Sequence, residues 1–269
     1  MSATVARPHA FDALAELYDS LFTNSVIGRA QRNAVWSVAE QVFIRGDYLL
    51  ELGCGSGEDA LFLARAGMSL LACDISQRMI AVAMARARAE LPGARLEFRV
   101  IANEQVGELP LERPFAGVFS NFSSLNCVED LRSVARELAR RTLPGAPAVL
   151  CFSSRICLWE IVWFLLRGQP GKAFRRIRSG PRVASIGGQN VHVWYPSVRS
   201  ICQAFAPWFE LQQRYAIGLF VPPSYVEPWA RKHAWWVHWT DLLDSKLRSW
   251  PLLRDCGDHV LLYFRRTSL

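Results

Sequence analysis

Residues 48–60, YLLELGCGSGEDA, constrain this chain more than any other stretch. An apolar run, a turn with glycine at every second position and the start of a helix follow one another directly. Gly53, Gly55 and Gly57 let the backbone turn sharply and come close to a ligand, because no Cβ intervenes. The helix that follows points its free N–H groups and the positive end of its dipole back at the turn. A second apolar run, residues 70–73, ends on Asp74. An acid at the tip of the second strand is placed to accept hydrogen bonds from both hydroxyls of a ribose. The stretch therefore predicts an open α/β sheet that holds a nucleoside beyond its strand ends.

Two cofactor classes use this geometry. Residues 55–60 fit the dinucleotide pattern G-x-G-x-x-G/A, but the strand already ends at Leu52, so that frame begins two residues late. Counted from Gly53, the third glycine position is Glu58, which would repel a pyrophosphate. Glu51, the three glycines and Asp74 together resemble the cofactor loop of class I S-adenosylmethionine-dependent methyltransferases, whose pattern is acid-x-Gly-x-Gly-x-Gly. The resemblance implies S-adenosylmethionine as cofactor and S-adenosylhomocysteine as product. The alternatives are an NAD(P)-dependent oxidoreductase, for which no Tyr-x-x-x-Lys is found, and a non-catalytic cofactor-binding partner protein.

The same resemblance extends to the N-terminal segment. Tyr18-Asp19 and the later Arg32 are similar to the cap of small-molecule methyltransferases of the quinone-biosynthesis type. It implies that Tyr18 lies over the cofactor and that Arg32 meets its methionine carboxylate, with Arg29 as the rival. Ile75 is expected on the adenine face. The family usually carries an aspartate after the third strand to bind the adenine amino group. Here Ala102-Asn103-Glu104 stands instead, and Asn103 offers its side-chain oxygen.

The fold class that the resemblance implies is α/β: a Rossmann-like seven-stranded sheet of order 3-2-1-4-5-7-6, the last strand antiparallel, with helices on both faces. Strands are read over 48–52, 69–73, 95–101, 114–120 and 148–152, then 209–217 and 258–266, with helices over 77–91, 128–141 and 196–205. The loop after the fourth strand should face the methyl donor, which makes Asn121 and Asn126 candidates; asparagine is also common in turns for its own sake. The cofactor domain then comprises 1–152, 196–217 and 258–269. Insertions at 153–195 and 218–257 both leave the cofactor edge of the sheet and are expected to form a helical lid.

Nine of the ten tryptophans follow residue 150. A lid rich in them suits a small apolar or aromatic acceptor from which water is excluded. Arg167, Lys172, Arg175, Arg176, Arg178 and Arg182 form a basic run in the first insertion. It fits an acceptor phosphate or carboxylate, a peripheral membrane contact, or a solvated helix face. The net charge of +7 permits anionic partners, but no nucleic-acid module is recognisable. Seven cysteines without a C-x-x-C spacing read as small buried hydrophobes of a cytoplasmic protein. The N-terminal ten residues lack an apolar leader.

Methyl transfer from a sulfonium asks the protein to hold the acceptor in line and, where needed, to remove a proton. It requires no metal, and no ligand cluster is seen. His192, Tyr195 and His259 are the candidate bases. Asp258 precedes His259, but neighbours on a strand point to opposite faces, so no dyad is expected from them.

Overall fold

A computed structural model describes residues 10–110, 112–186 and 188–268. All but Ala10 of the stretch read as lacking a leader lies outside the described residues. The central sheet contains β1 (Tyr48–Leu52), β2 (Ser69–Asp74), β3 (Leu96–Val100), β4 (Gly117–Ser120), β5 (Pro147–Ser153), β8 (Phe209–Ile217) and β9 (His259–Arg266). Its order is β3-β2-β1-β4-β5-β9-β8. Neighbours from β3 to β5 pair in parallel, and β9 is antiparallel to both β5 and β8. This is the expected seven-strand order, with a separate hairpin, β6 (Arg182–Ile186) and β7 (Gln189–Val193), inserted between β5 and β8.

Adjacent side chains of a strand point to opposite faces, and both faces here are buried. Leu50 and Leu52 face one core with Val134, Leu138, Ile201 and Phe205, from α4 (Leu131–Arg141) and α7 (Val198–Phe205). Leu49 faces the other, with Val35 and Val38 of α1 (Val26–Val42) and Leu63 of α2 (Glu58–Arg65). Burying each such leucine is worth ~1.5–3 kcal/mol. That is why these strands read as continuous apolar runs rather than alternating ones.

Helix starts follow local capping chemistry. Ser76 Oγ accepts from the Met79 N–H at 3.1 Å and opens α3 (Gln77–Glu90). Asp130 accepts from the N–H groups of Arg132 and Ser133, so α4 begins three residues later than the apolar pattern from residue 128 suggests.

The insertions differ from the helical lid expected. The first holds α5 (Leu158–Leu165), the short α6 (Pro170–Ala173) and the β6–β7 hairpin. The hairpin strands pair from Arg182 with Val193 to Ile186 with Gln189. The second holds α8 (Glu227–Lys232) and α9 (Ala234–Leu247), which pack on α1 around Ile27, Ala30, Val226, Ala230 and Val237. The basic run is not one solvated face either. Glu160, almost fully buried, pairs with Arg175 and Arg176, and Arg176 also meets Asp258 at 2.8 Å.

Candidate active site

A cavity of about 500 Å³ opens at the carboxyl ends of β1, β2 and β4. Gly53, Gly55, Asp74, Ile75 and Asn103 form one wall. Phe122, Ser123, Ser124, Cys127 and Val128 form a second, and Gln189 to His192 with Trp194 close a third. The hairpin is thus part of the site. Among the described tryptophans Trp194 alone lines it, and no described residue of 218–257 is among its lining residues.

The glycine turn is shaped by what it touches. Gly53 has φ +67°, and a Cβ there would meet the Ser124 Cβ at 2.1 Å. Gly55 has φ +52° and faces open space, with the Tyr18 ring 4.0 Å from where its Cβ would stand. Asp74 Oδ2 accepts from the Gly55 N–H at 2.9 Å, and Oδ1 accepts from the Ser76 N–H at 2.8 Å. The strand-end acid therefore fixes the turn. Glu51 is buried, and among the described residues its Oε2 has no hydrogen-bond partner. Burial first, then the nearby Asp59 and Asp74 carboxylates, pushes its carboxyl well above the usual range, against the pull of Arg32.

The N-terminal segment lies across this turn. Tyr18 lines the cavity, and burial outweighs Arg32 to push its phenol up to about 12. Asp12 accepts from Ser76 Oγ, and Asp19 accepts from Ser56 Oγ at 2.6 Å and from Arg86. Arg86 also holds Glu58 at 3.1 Å. Asp12 and Arg86 were not singled out from the sequence, and Asp19 was noted only as part of the Tyr18-Asp19 pair, since a single charge says nothing of its partner across the fold.

Asn103 lines the cavity and donates through Nδ2 to the Ser124 carbonyl at 3.2 Å, which leaves its oxygen to accept. Ile75 also lines it and is 43% exposed, so it is no ordinary core residue.

Four expected positions lie elsewhere. Arg32 does not line the cavity; Asp59 Oδ2 takes its Nη1 at 2.5 Å, and the Phe122 ring lies 4.8 Å beneath the guanidinium. The rival Arg29 is exposed and donates to Asn24. Asn121 is buried with both carboxylate oxygens of Asp59 within 3.3 Å of its Nδ2, because the salt bridge draws it inward. Asn126 is structural: it donates to the Trp194 carbonyl at 2.7 Å and accepts from the Ser153 N–H at 2.9 Å, tying the hairpin to β5.

Among the candidate bases only His192, on β7, lines the cavity. Tyr195 stacks under Arg176 instead. His259 is buried edge-on against Phe122, and burial holds its imidazole below the ordinary value despite Asp258. Its Nδ1 is 3.6 Å from Asp258 Oδ2 and has no hydrogen-bond partner among the described residues. Asp258 precedes the strand, so strand alternation does not govern it, but no hydrogen-bonded dyad forms.

The profile of the family described as "Methyltransferase domain" matches residues 49–145, which span the glycine turn, Asp74, Asn103 and the loop after β4. A demethylmenaquinone methyltransferase of Mycobacterium marinum is 29% identical over 77% of this chain and 87% of that protein. A 2-phytyl-1,4-naphtoquinone methyltransferase of Synechococcus elongatus is 33% identical over 52% of this chain and 60% of that protein. Among solved structures, the CcbJ methyltransferase of Streptomyces caelestis superposes with a TM-score of 0.62 at 16% identity, covering 97% of this chain and 99% of that one.

Proposed function

The chain belongs to the class I S-adenosylmethionine-dependent methyltransferases, and from that premise we propose that it methylates a small apolar or aromatic acceptor of the quinone kind. The observation that carries the reading is the tie between Asp74 and the glycine turn at the cavity wall. The cofactor supplies an electrophilic methyl group on a sulfonium.

The residues present fit that cofactor. Gly55 leaves open space where a side chain would intrude, and Glu51 carries a buried oxygen without a partner. In this reading Asp74 binds the ribose hydroxyls, Ile75 packs on the adenine and Asn103 accepts from its amino group. Tyr18 covers the turn. Arg32 and Asn121 act indirectly, by fixing Asp59 and the loop that carries Phe122. The acceptor lies between Phe122, Val128 and the hairpin residues Val191 and Trp194, which hold it and exclude water. His192 takes the acceptor's proton where one must leave. The quinone class is supported by the names of the curated relatives and by this apolar wall.

Calorimetric titration with S-adenosylhomocysteine, and separately NAD, on wild type and Asp74→Ala tests the cofactor assignment. Two lost ribose hydrogen bonds, each worth ~0.5–1.5 kcal/mol, should weaken S-adenosylhomocysteine binding about tenfold or more. Binding of NAD alone would sink the reading. Transfer of labelled methyl to a panel of demethylated quinones and simple phenols then tests the acceptor class. Cofactor binding without turnover on any of them would favour a non-catalytic role.

A further inference from the structure

We propose that α5, α8 and α9 form one interfacial face that seats this protein on an anionic lipid bilayer. On α9, Val237 packs with Ile27 and Ala30 of α1 and Asp244 is buried on the 219–221 backbone, while Trp235 (61% exposed), Trp239 (64%) and Leu242 lie outward at helical spacing. Trp236 and Leu243 flank them, and exposed Trp250 and Leu252 continue the patch beyond the helix.

Two groups of rings lie on these elements. Trp235 meets Trp236 at 5.8 Å, and Trp236 meets Trp229 of α8 at 6.2 Å. Tyr225, four residues before Trp229, touches Phe164 of α5 at 5.9 Å. Val162, Leu165 and Leu166 are exposed there. A soluble surface rarely gathers so many large apolar side chains, and tryptophans beside a polar rim are the composition of a membrane interface.

The charge around the patch selects the occupant. Glu160 is the only acid between Ser153 and Tyr195, and it is buried under Arg175 and Arg176. Glu227 is drawn inward onto the N–H groups of Val26 and Ile27, and Asp244 onto those of Leu219, Phe220 and Val221. The exposed charges of α8 and α9 are cations, Asp241 of α9 being half-buried. Arg167 lies 3.4 Å over Trp163 and Lys172 lies 5.7 Å from Phe164, with Lys232 and Lys246 on the other helices. Anionic headgroups complement that rim while the indoles enter the headgroup boundary. Among the described residues no helix is long and apolar enough to cross a membrane, so the contact is peripheral. Both insertions leave the sheet at the edge where the cavity opens.

The test is co-sedimentation with phosphatidylcholine vesicles, with and without phosphatidylglycerol, at low and high salt. The wild type should sediment with the mixed vesicles, more weakly at high salt, and brominated lipid should quench its tryptophan emission. Trp235→Ser/Trp239→Ser should bind about tenfold or more weakly, since affinity scales with the apolar area inserted. Arg167→Gln/Lys172→Gln should lose the preference for the anionic vesicles. Unchanged circular dichroism and S-adenosylhomocysteine affinity in both variants show that the fold is kept. A wild type that stays in the supernatant with mixed vesicles overturns the proposal, as does a tryptophan variant that binds equally well. So does a dimer that the tryptophan variant abolishes in the absence of any vesicle binding, which would make the occupant a second copy.

Discussion

Arg32 and Asp59 form a buried ion pair, Nη1 to Oδ2 at 2.5 Å, at the junction of α1 and α2 beneath the loop that carries Phe122. Trp36 Nε1 adds a 2.6 Å hydrogen bond to Asp59, and Asn121 adds two longer ones. Asp59 thus gathers donors from α1 and from the end of β4, and Asp59→Asn leaves the Arg32 charge uncompensated. Removing one partner of such a pair costs ~3–5 kcal/mol. Urea unfolding should show a loss of that order. A loss under about 1 kcal/mol would mean that water reaches the pair and that it is worth no more than a surface bridge.

Gly53 and Ser124 are fitted to each other. Gly53→Ala places a Cβ 2.1 Å from that of Ser124 at φ +67°. The variant should bind S-adenosylhomocysteine more weakly and melt lower, by ~1–3 kcal/mol for the strained backbone and the forced shift together. Gly53→Ala/Ser124→Gly should recover the clash but not the φ penalty. Calorimetry on both variants separates the two; no recovery at all would place the whole cost in the backbone.

His192 lines the cavity, and in the proposed function it serves the acceptor rather than the cofactor. His192→Ala should lower kcat by about 10²-fold or more if proton removal limits the reaction, since general bases contribute that much. S-adenosylhomocysteine affinity should stay unchanged. An undiminished kcat would show that the acceptor carries its own nucleophilic electrons and needs no base.

His259 sets a pH dependence of stability. Its folded value lies below the ordinary 6.5, chiefly through burial. Between the folded value and 6.5 the unfolded chain holds a proton that the folded chain does not. Stability therefore rises with pH across that window and falls as pH drops below 6.5, by up to about 1.4 kcal/mol per pH unit for one proton. Asp258, held below 3.8 by His259 and Arg176 against burial, adds a loss of the same sign only at lower pH. The raised carboxyls of Asp244 and Glu51 add a slope of the opposite sign that both proteins share, so the readout is the difference: chemical unfolding at pH 7.5 and 5.5 should show that wild type loses more stability on acidification than His259→Gln does. Equal slopes would mean that His259 titrates alike in both states.

Much of the scaffold was legible because it rests on local pattern. The apolar runs of residues 48–52 and 69–73 are strands buried on both faces, and Ser76 caps α3 as its position before the helix suggests. The positions of Gly53, Gly55, Gly57 and Asp74 follow from the turn itself. The β6–β7 hairpin was not read from the sequence, where the insertion was expected to be helical.

By itself the sequence determined the strands, the turn and the carboxylate that closes it, because strand periodicity, glycine conformation and capping act over a few neighbouring residues; the sheet order came only through the family that the turn resembles. Only the tertiary structure decided the partners: Arg32 on Asp59 rather than at the cavity, Asn121 and Asn126 as internal ties, Arg176 between Glu160 and Asp258, and the tryptophans of α9 turned outward. Those choices depend on which charges and apolar faces meet across two hundred residues of chain, as Glu227 meets Val26. A buried charge must take the partner that folding brings to it, and no local spacing encodes which one that will be.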